Sequence, residues 1–221
     1  IIDNAAGLGI NRESRFFNGS YENVMEVFSL HATKPFGIGE GGLIIAPSSK
    51  EFSLRSAMNF GLQTHAKTGS TSSPFWGING KMSEFHAAIG LAVLETIDER
   101  IFLRQKMAKK WVDSLINIDL NLNIFSHEIG NSPWQIFPIV LESEKIVEKI
   151  VKIALKNKYE LRRYYHPSLG NCHGMRSIGV CENSNYFSER VLALPIRSWI
   201  KKNDQENLFT SIMDILKEGY G

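Results

Sequence analysis

Apolar positions along the chain change period several times, and each change predicts an element. Val24–Leu30 (VMEVFSL) is rich in β-favouring residues, and Leu43–Ala46 (LIIA) follows beyond Pro35 and the four glycines of Gly37–Gly42. That spacing predicts a strand, a tight loop and a second strand closed by Pro47. Ser49–Gly61 predicts a short helix ending at glycine, and the segment up to Gly80 reads as a polar, glycine-rich loop. From Ser83, as N-cap, a helical period begins with Phe85, Ala88, Ile89, Ala92, Val93, Thr96, Ile97 and Ile101, and continues through Met107, Trp111 and Leu115. Unbroken to Ile116, this helix would be ~50 Å long and would link two domains.

Beyond Asn117, Trp134–Leu141 (WQIFPIVL) reads as a strand, with Pro138 marking an edge or a bulge. Glu144–Lys156 is an amphipathic helix, Glu160–Tyr165 a short strand, and Asp204–Lys217 a closing helix capped by Asn203 or Asp204. Strands alternating with helices predict α/β layers in both halves, divided into residues 1–115 and 116–221.

Composition narrows the classes. The 221 residues carry a formal charge of +2, with 43% hydrophobic and 22% charged residues, an ordinary globular balance. The basic doublets are scattered, which argues against nucleic acid, and no apolar run reaches the ~18 residues of a membrane helix. Cys172 and Cys181 are too few for a disulfide scaffold and lack metal-site spacing, so they predict reduced thiols in a cytoplasmic protein. His65, His86, His127 and His173 are too dispersed to suggest a metal site. Ile1-Ile2-Asp3 resembles the end of a strand, which predicts that a preceding stretch is missing from the chain.

The densest chemistry lies in Phe28-Ser29-Leu30-His31-Ala32-Thr33-Lys34-Pro35, leading into Gly37–Gly42. An amine in apolar surroundings favours its neutral form, which attacks carbonyls. Ser29 could offer a hydroxyl to a phosphate. From the residues alone, an active-site lysine and an incidental lysine in a strand–turn–strand remain equally open. The glycines match neither nucleotide-binding fingerprint.

Three ordered motifs resolve this through resemblance. Ser-x-His-x-Thr-Lys followed by Gly-Glu-Gly-Gly resembles the cofactor-lysine signature of the DegT/StrS sugar aminotransferases. Ile1–Gly9 is similar to that family's strand ending in aspartate, and Gly77–Leu91 to its G-x-N-x-K/R-M-S-E-x-x-A-A-x-G block. Tyr164-Tyr165-His166-Pro167 and Leu194-Pro195 also fall where the family carries Y-Y-x-P and L-P. The resemblance implies an α/β, fold-type-I transferase (aspartate aminotransferase-like), with part of a large domain and a small C-terminal domain. It implies pyridoxal 5′-phosphate as cofactor, Lys34 as the Schiff-base lysine and Asp3 as partner of the pyridine nitrogen. Ser29 would bind the phosphate, and Asn79 would reach the phosphate pocket of a second subunit in a homodimer. His31 and Thr33 would be supporting residues.

The implied reaction moves an amino group, from glutamate, to a nucleotide-linked keto-sugar. Two alternatives are an enzyme of the same fold acting on another cyclic ketone and a noncatalytic remnant. Lys34 argues against the dehydratase branch, where histidine replaces the lysine. Ala6 departs from the pattern, standing where the family has His or Gln, as do Asn23-Val24 and Gly170.

Overall fold

The computed structural model of the chain describes residues 1–10, 21–64, 68–74, 76–124, 130, 132–176 and 179–221. These form two compact units, Ile1–Glu99 and Arg100–Gly221. The division falls earlier than the 115/116 boundary read from the sequence. The reason is packing: Met107, Ala108, Trp111, Val112 and Leu115 all belong to the core of the second unit.

In the first unit, β1 (Ile2–Asp3) pairs in parallel with β2 (Glu26–Ser29), which pairs antiparallel with β3 (Gly42–Ile45). The glycines between β2 and β3 allow the reversal: Gly39 and Gly41 have φ of 108° and 153°, where a Cβ would be strained. The expected Ser49–Gly61 helix is a 3₁₀ turn (Ser48–Lys50) followed by α1 (Glu51–Ala57). A two-stranded ribbon, β4 (Gln63–Thr64) with β5 (Thr71–Ser72), lies within the segment read as loop. The first unit's small core joins Leu30, Phe36, Ile38 and Val93, with Leu8 and Ile97 packed against them. Val27, Leu43, Ile44 and Ile45 are apolar yet exposed, so the strands are not buried throughout as their composition suggests.

The long helix is broken. It resolves into α2 (Glu84–Leu94) and α3 (Ile97–Ile116), with turn residues at Glu95 and Thr96. Thr96 explains the break, because its N–H and its hydroxyl both donate to the Val93 carbonyl at 3.1 Å. A side chain competing for backbone acceptors interrupts the i to i−4 ladder. Ser83 caps α2 as expected, its Oγ accepting from the His86 N–H at 3.3 Å.

The second unit holds an antiparallel sheet, β6 (Leu122–Ile124), β7 (Phe137–Leu141) and β8 (Val191–Leu194), in the order β6-β7-β8. β7 is therefore central, contrary to the edge or bulge expected from Pro138. Toward β8 the proline costs no ladder bond, because Pro138 lies opposite Ala193 in a pair whose backbone groups face away from each other. The Ala193 N–H points away from β7 and donates to the Arg162 carbonyl at 2.9 Å. That single bridge replaces the strand expected over Glu160–Tyr165.

α4 spans Glu144–Lys156 as predicted, burying Val147, Ile150, Ile153 and Ala154 at helical spacing. Removing its cap hydroxyl, which accepts from the Ile146 N–H, by Ser143→Ala should cost about 1 kcal/mol, read by urea denaturation. α5 (Glu182–Arg190), absent from the periodicity, runs directly into β8. α6 spans Lys202–Tyr220 and packs on α4. Its N-cap is Lys201, without a side-chain cap bond, so Asn203 and Asp204 lie inside its first turn. Trp111, Phe137, Ile139, Ile150, Leu192, Ile212 and Leu216 centre the core. No helix among the described residues is long and apolar enough to cross a membrane.

Candidate active site

The parallel pairing of β1 and β2 brings two expected residues to one sheet end. Asp3 ends β1 opposite Val27, and Ser29 ends β2. The Ser29 N–H donates to the Ala5 carbonyl at 3.2 Å, which extends the join past both strands. The Asp3 carboxylate is exposed and accepts the Ala5 N–H at 3.1 Å, the bond of an aspartate opening a turn. Ser29 Oγ accepts the His31 N–H at 3.2 Å, using a lone pair and leaving its O–H able to donate.

Lys34 closes a turn immediately beyond, its N–H donating to the His31 carbonyl at 2.9 Å. The side chain is half-buried, and Pro35 and Phe36 beside it are buried. The lysine thus sits on an anchored turn at the edge of an apolar cluster rather than inside an enclosed cavity. The turn is held to the glycine ribbon by three backbone bonds: Leu30 N–H to Gly41 O at 2.9 Å, Ala32 N–H to Gly39 O at 2.8 Å, and Ile38 N–H to Leu30 O at 2.9 Å.

His31 and Thr33 belong to that turn. The Thr33 N–H donates to His31 Nδ1 at 3.2 Å, and Thr33 Oγ1 lies 2.9 Å from the same nitrogen. An accepting Nδ1 places the proton of the neutral ring on Nε2, which faces Glu40 Oε1 at 3.7 Å. Both partners are largely exposed, so this pair contributes little energy. His31 organises the turn.

Asn79 lies elsewhere. It is exposed and bridges by its backbone to Asn59, while the neighbouring Ile78 and Gly80 N–H groups donate to Ala57 and Met58 carbonyls. Gly77 is needed there, because a Cβ would fall 2.1 Å from the Gly61 nitrogen. Lys81 adds a bond from Nζ to Asn59 Oδ1 at 3.2 Å. This segment is therefore fastened to the end of α1. Ala6 is half-buried in the turn after Asp3. His65 and His127 lie outside the described residues.

His86 had no assigned role. It packs over the glycine ribbon, a contact across 47 residues that no local pattern announces.

The described residues share the mixed α/β fold of the fold-type-I transferases. They match the crystal structure of a DegT DnrJ EryC1 StrS aminotransferase from Brucella abortus with a TM-score of 0.78 at 20% identity, over 99% of this chain and 56% of that one. The chain belongs to the DegT/DnrJ/EryC1/StrS aminotransferase family, whose model matches residues 1–213. It is 30% identical over 202 residues to the dTDP-4-amino-4,6-dideoxy-D-glucose transaminase of Shigella dysenteriae, covering 86% of this chain and 52% of that protein. It is 26% identical over 231 residues to Protein MT3510 of Mycobacterium tuberculosis, covering 97% of this chain and 52% of that protein. The chain spans about half the length of the curated relatives it matches.

Proposed function

We propose that the protein carrying this chain is a pyridoxal-phosphate aminotransferase that moves an amino group from glutamate to a keto-sugar linked to a nucleotide. The observation that carries the reading is the gathering of Asp3, Ser29 and Lys34 at the ends of two paired parallel strands and the turn that follows. Family membership and the sugar transaminase among its relatives support it.

The donor set fits the cofactor chemically: a primary amine for an aldehyde, a carboxylate for a protonated ring nitrogen, a hydroxyl for a phosphate oxygen. When bound, pyridoxal phosphate supplies an aldehyde that exchanges amines and a ring that accepts electrons. Lys34 would hold it covalently through Nζ. Asp3 would keep a proton on the ring nitrogen, and the Ser29 O–H would donate to the phosphate. Once its amine is released, Lys34 Nζ would move a proton from the amino donor's α-carbon to the cofactor's C4′, and in the second half of the exchange from C4′ to the sugar carbon that receives the amine. Asn79, on an exposed and fastened segment, would serve a second subunit's phosphate pocket.

The test is chemical. Borohydride treatment after incubation with pyridoxal phosphate should leave one reduced cofactor adduct, on the peptide containing Lys34. Nitrogen from labelled glutamate should appear in a dTDP- or UDP-linked sugar. A protein that acquires no adduct at Lys34 is not this enzyme.

A further inference from the structure

The contacts beneath the Lys34 turn reach a residue outside the motif positions. His86 stands in the first turn of α2, and its Nδ1 lies 2.8 Å from Ser83 Oγ. Ser83 Oγ also accepts the His86 N–H at 3.3 Å, so the same hydroxyl holds both the backbone and the ring of His86. With either tautomer that bond fixes the ring's orientation and leaves Nε2 on the side away from Ser83.

That ring lies against Gly39. A Cβ built on Gly39 would come within 3.1 Å of His86 Nε2 and 3.3 Å of its Cδ2. Beside it, a Cβ on Gly41 would meet Met82 Cε at 3.1 Å, and one on Gly90 would meet Ile38 Cδ1 at 3.9 Å. The start of α2 therefore clasps the glycine ribbon at adjoining points. Gly39 is the point of leverage, because its carbonyl accepts the Ala32 N–H at 2.8 Å and its backbone bridges to His31, whose carbonyl anchors Lys34.

We propose that His86 is a positioning residue for Lys34: its Ser83-locked ring braces Gly39, and Gly39 sets the backbone of the turn that carries the lysine. This rests on the reading of Lys34 as the cofactor-bearing residue. Glycine at 39 leaves room for the ring, and the ring fills the space that a side chain at 39 would take. Glutamine has the reach to fill the same space, whereas alanine leaves the ribbon unsupported on that side.

The test uses the protein with His86→Ala and His86→Gln. Hydrogen exchange of the peptide covering 30–41 should accelerate about tenfold in H86A, with α4 unchanged, and return close to wild type in H86Q. The rate of pyridoxal phosphate capture at Lys34, quenched with borohydride, should fall about tenfold in H86A and recover in H86Q. Exchange over 30–41 that is unchanged in H86A overturns the positioning role, as does acceleration spread evenly over the first unit. Slow capture in both variants also overturns it. If wild type captures nothing at Lys34, the cofactor-lysine reading fails, and the positioning role with it. Normal wild-type capture with no change in H86A removes the positioning role alone.

Discussion

Lys34→Ala should lower amino transfer by more than about a thousandfold and abolish the borohydride-stable adduct. The loss is large because no other group in the turn can replace a primary amine: Thr33 offers a hydroxyl, and His31 is engaged through Nδ1 with Thr33. The fold should survive. Lys34 is half-buried, and the backbone bond from its N–H to the His31 carbonyl does not depend on the side chain. Unchanged circular dichroism together with lost adduct, measured by mass spectrometry of the peptide, is the expected pair of results. A variant retaining more than about a tenth of wild-type transfer would remove Lys34 from the chemistry.

Trp111→Ala should destabilise the second unit by about 3–5 kcal/mol. Trp111 has no exposed surface and its ring lies 4.0 Å, centroid to centroid, from Phe209 of α6. Its indole N–H donates to the Pro195 carbonyl at 3.0 Å, just beyond β8. One side chain therefore joins α3, the end of β8 and α6. Alanine removes the ring, leaves a cavity and deprives the Pro195 carbonyl of its donor. Urea unfolding followed by circular dichroism should show the second unit's midpoint falling. Hydrogen exchange should show α6 losing protection first. Lys110, beside it, pairs with Glu206 at the partly exposed rim, so Lys110→Ala should cost well under about 1 kcal/mol. Similar losses from both variants would contradict this account of the core.

Much of the local structure was legible. α4 could be read to the residue because Ser143 caps it and four buried apolar residues recur at helical spacing. The β2–loop–β3 unit was legible because the glycines between the strands occupy positive φ where side chains strain. Lys34, His31 and Ser29 are within six residues of one another, so their neighbourhood in the fold follows from a short stretch of chain.

Less was legible wherever partners are distant. The helix break at Thr96 depends on a threonine hydroxyl choosing a backbone carbonyl, which apolar periodicity does not register. β8 is four residues long with no turn before it, and it is a strand because β7 accepts it. The central position of Pro138 was hidden for the same reason, since only strand order and register show that its nitrogen meets no acceptor from β8.

The sequence by itself determined the short-range features: which segments favour helix or strand, where caps and glycines must stand, and the order of the motifs around Asp3, Lys34 and Asn79. Those follow from backbone sterics and hydrogen bonds spanning a few residues. Tertiary structure decided that Asp3 and Ser29 share a sheet end, that Asn79 is fastened to α1, that α3 enters the second core, and that His86 lies over Gly39. These depend on burial and strand pairing between residues tens of positions apart, where the free energy lies in the fit of surfaces rather than in either segment alone.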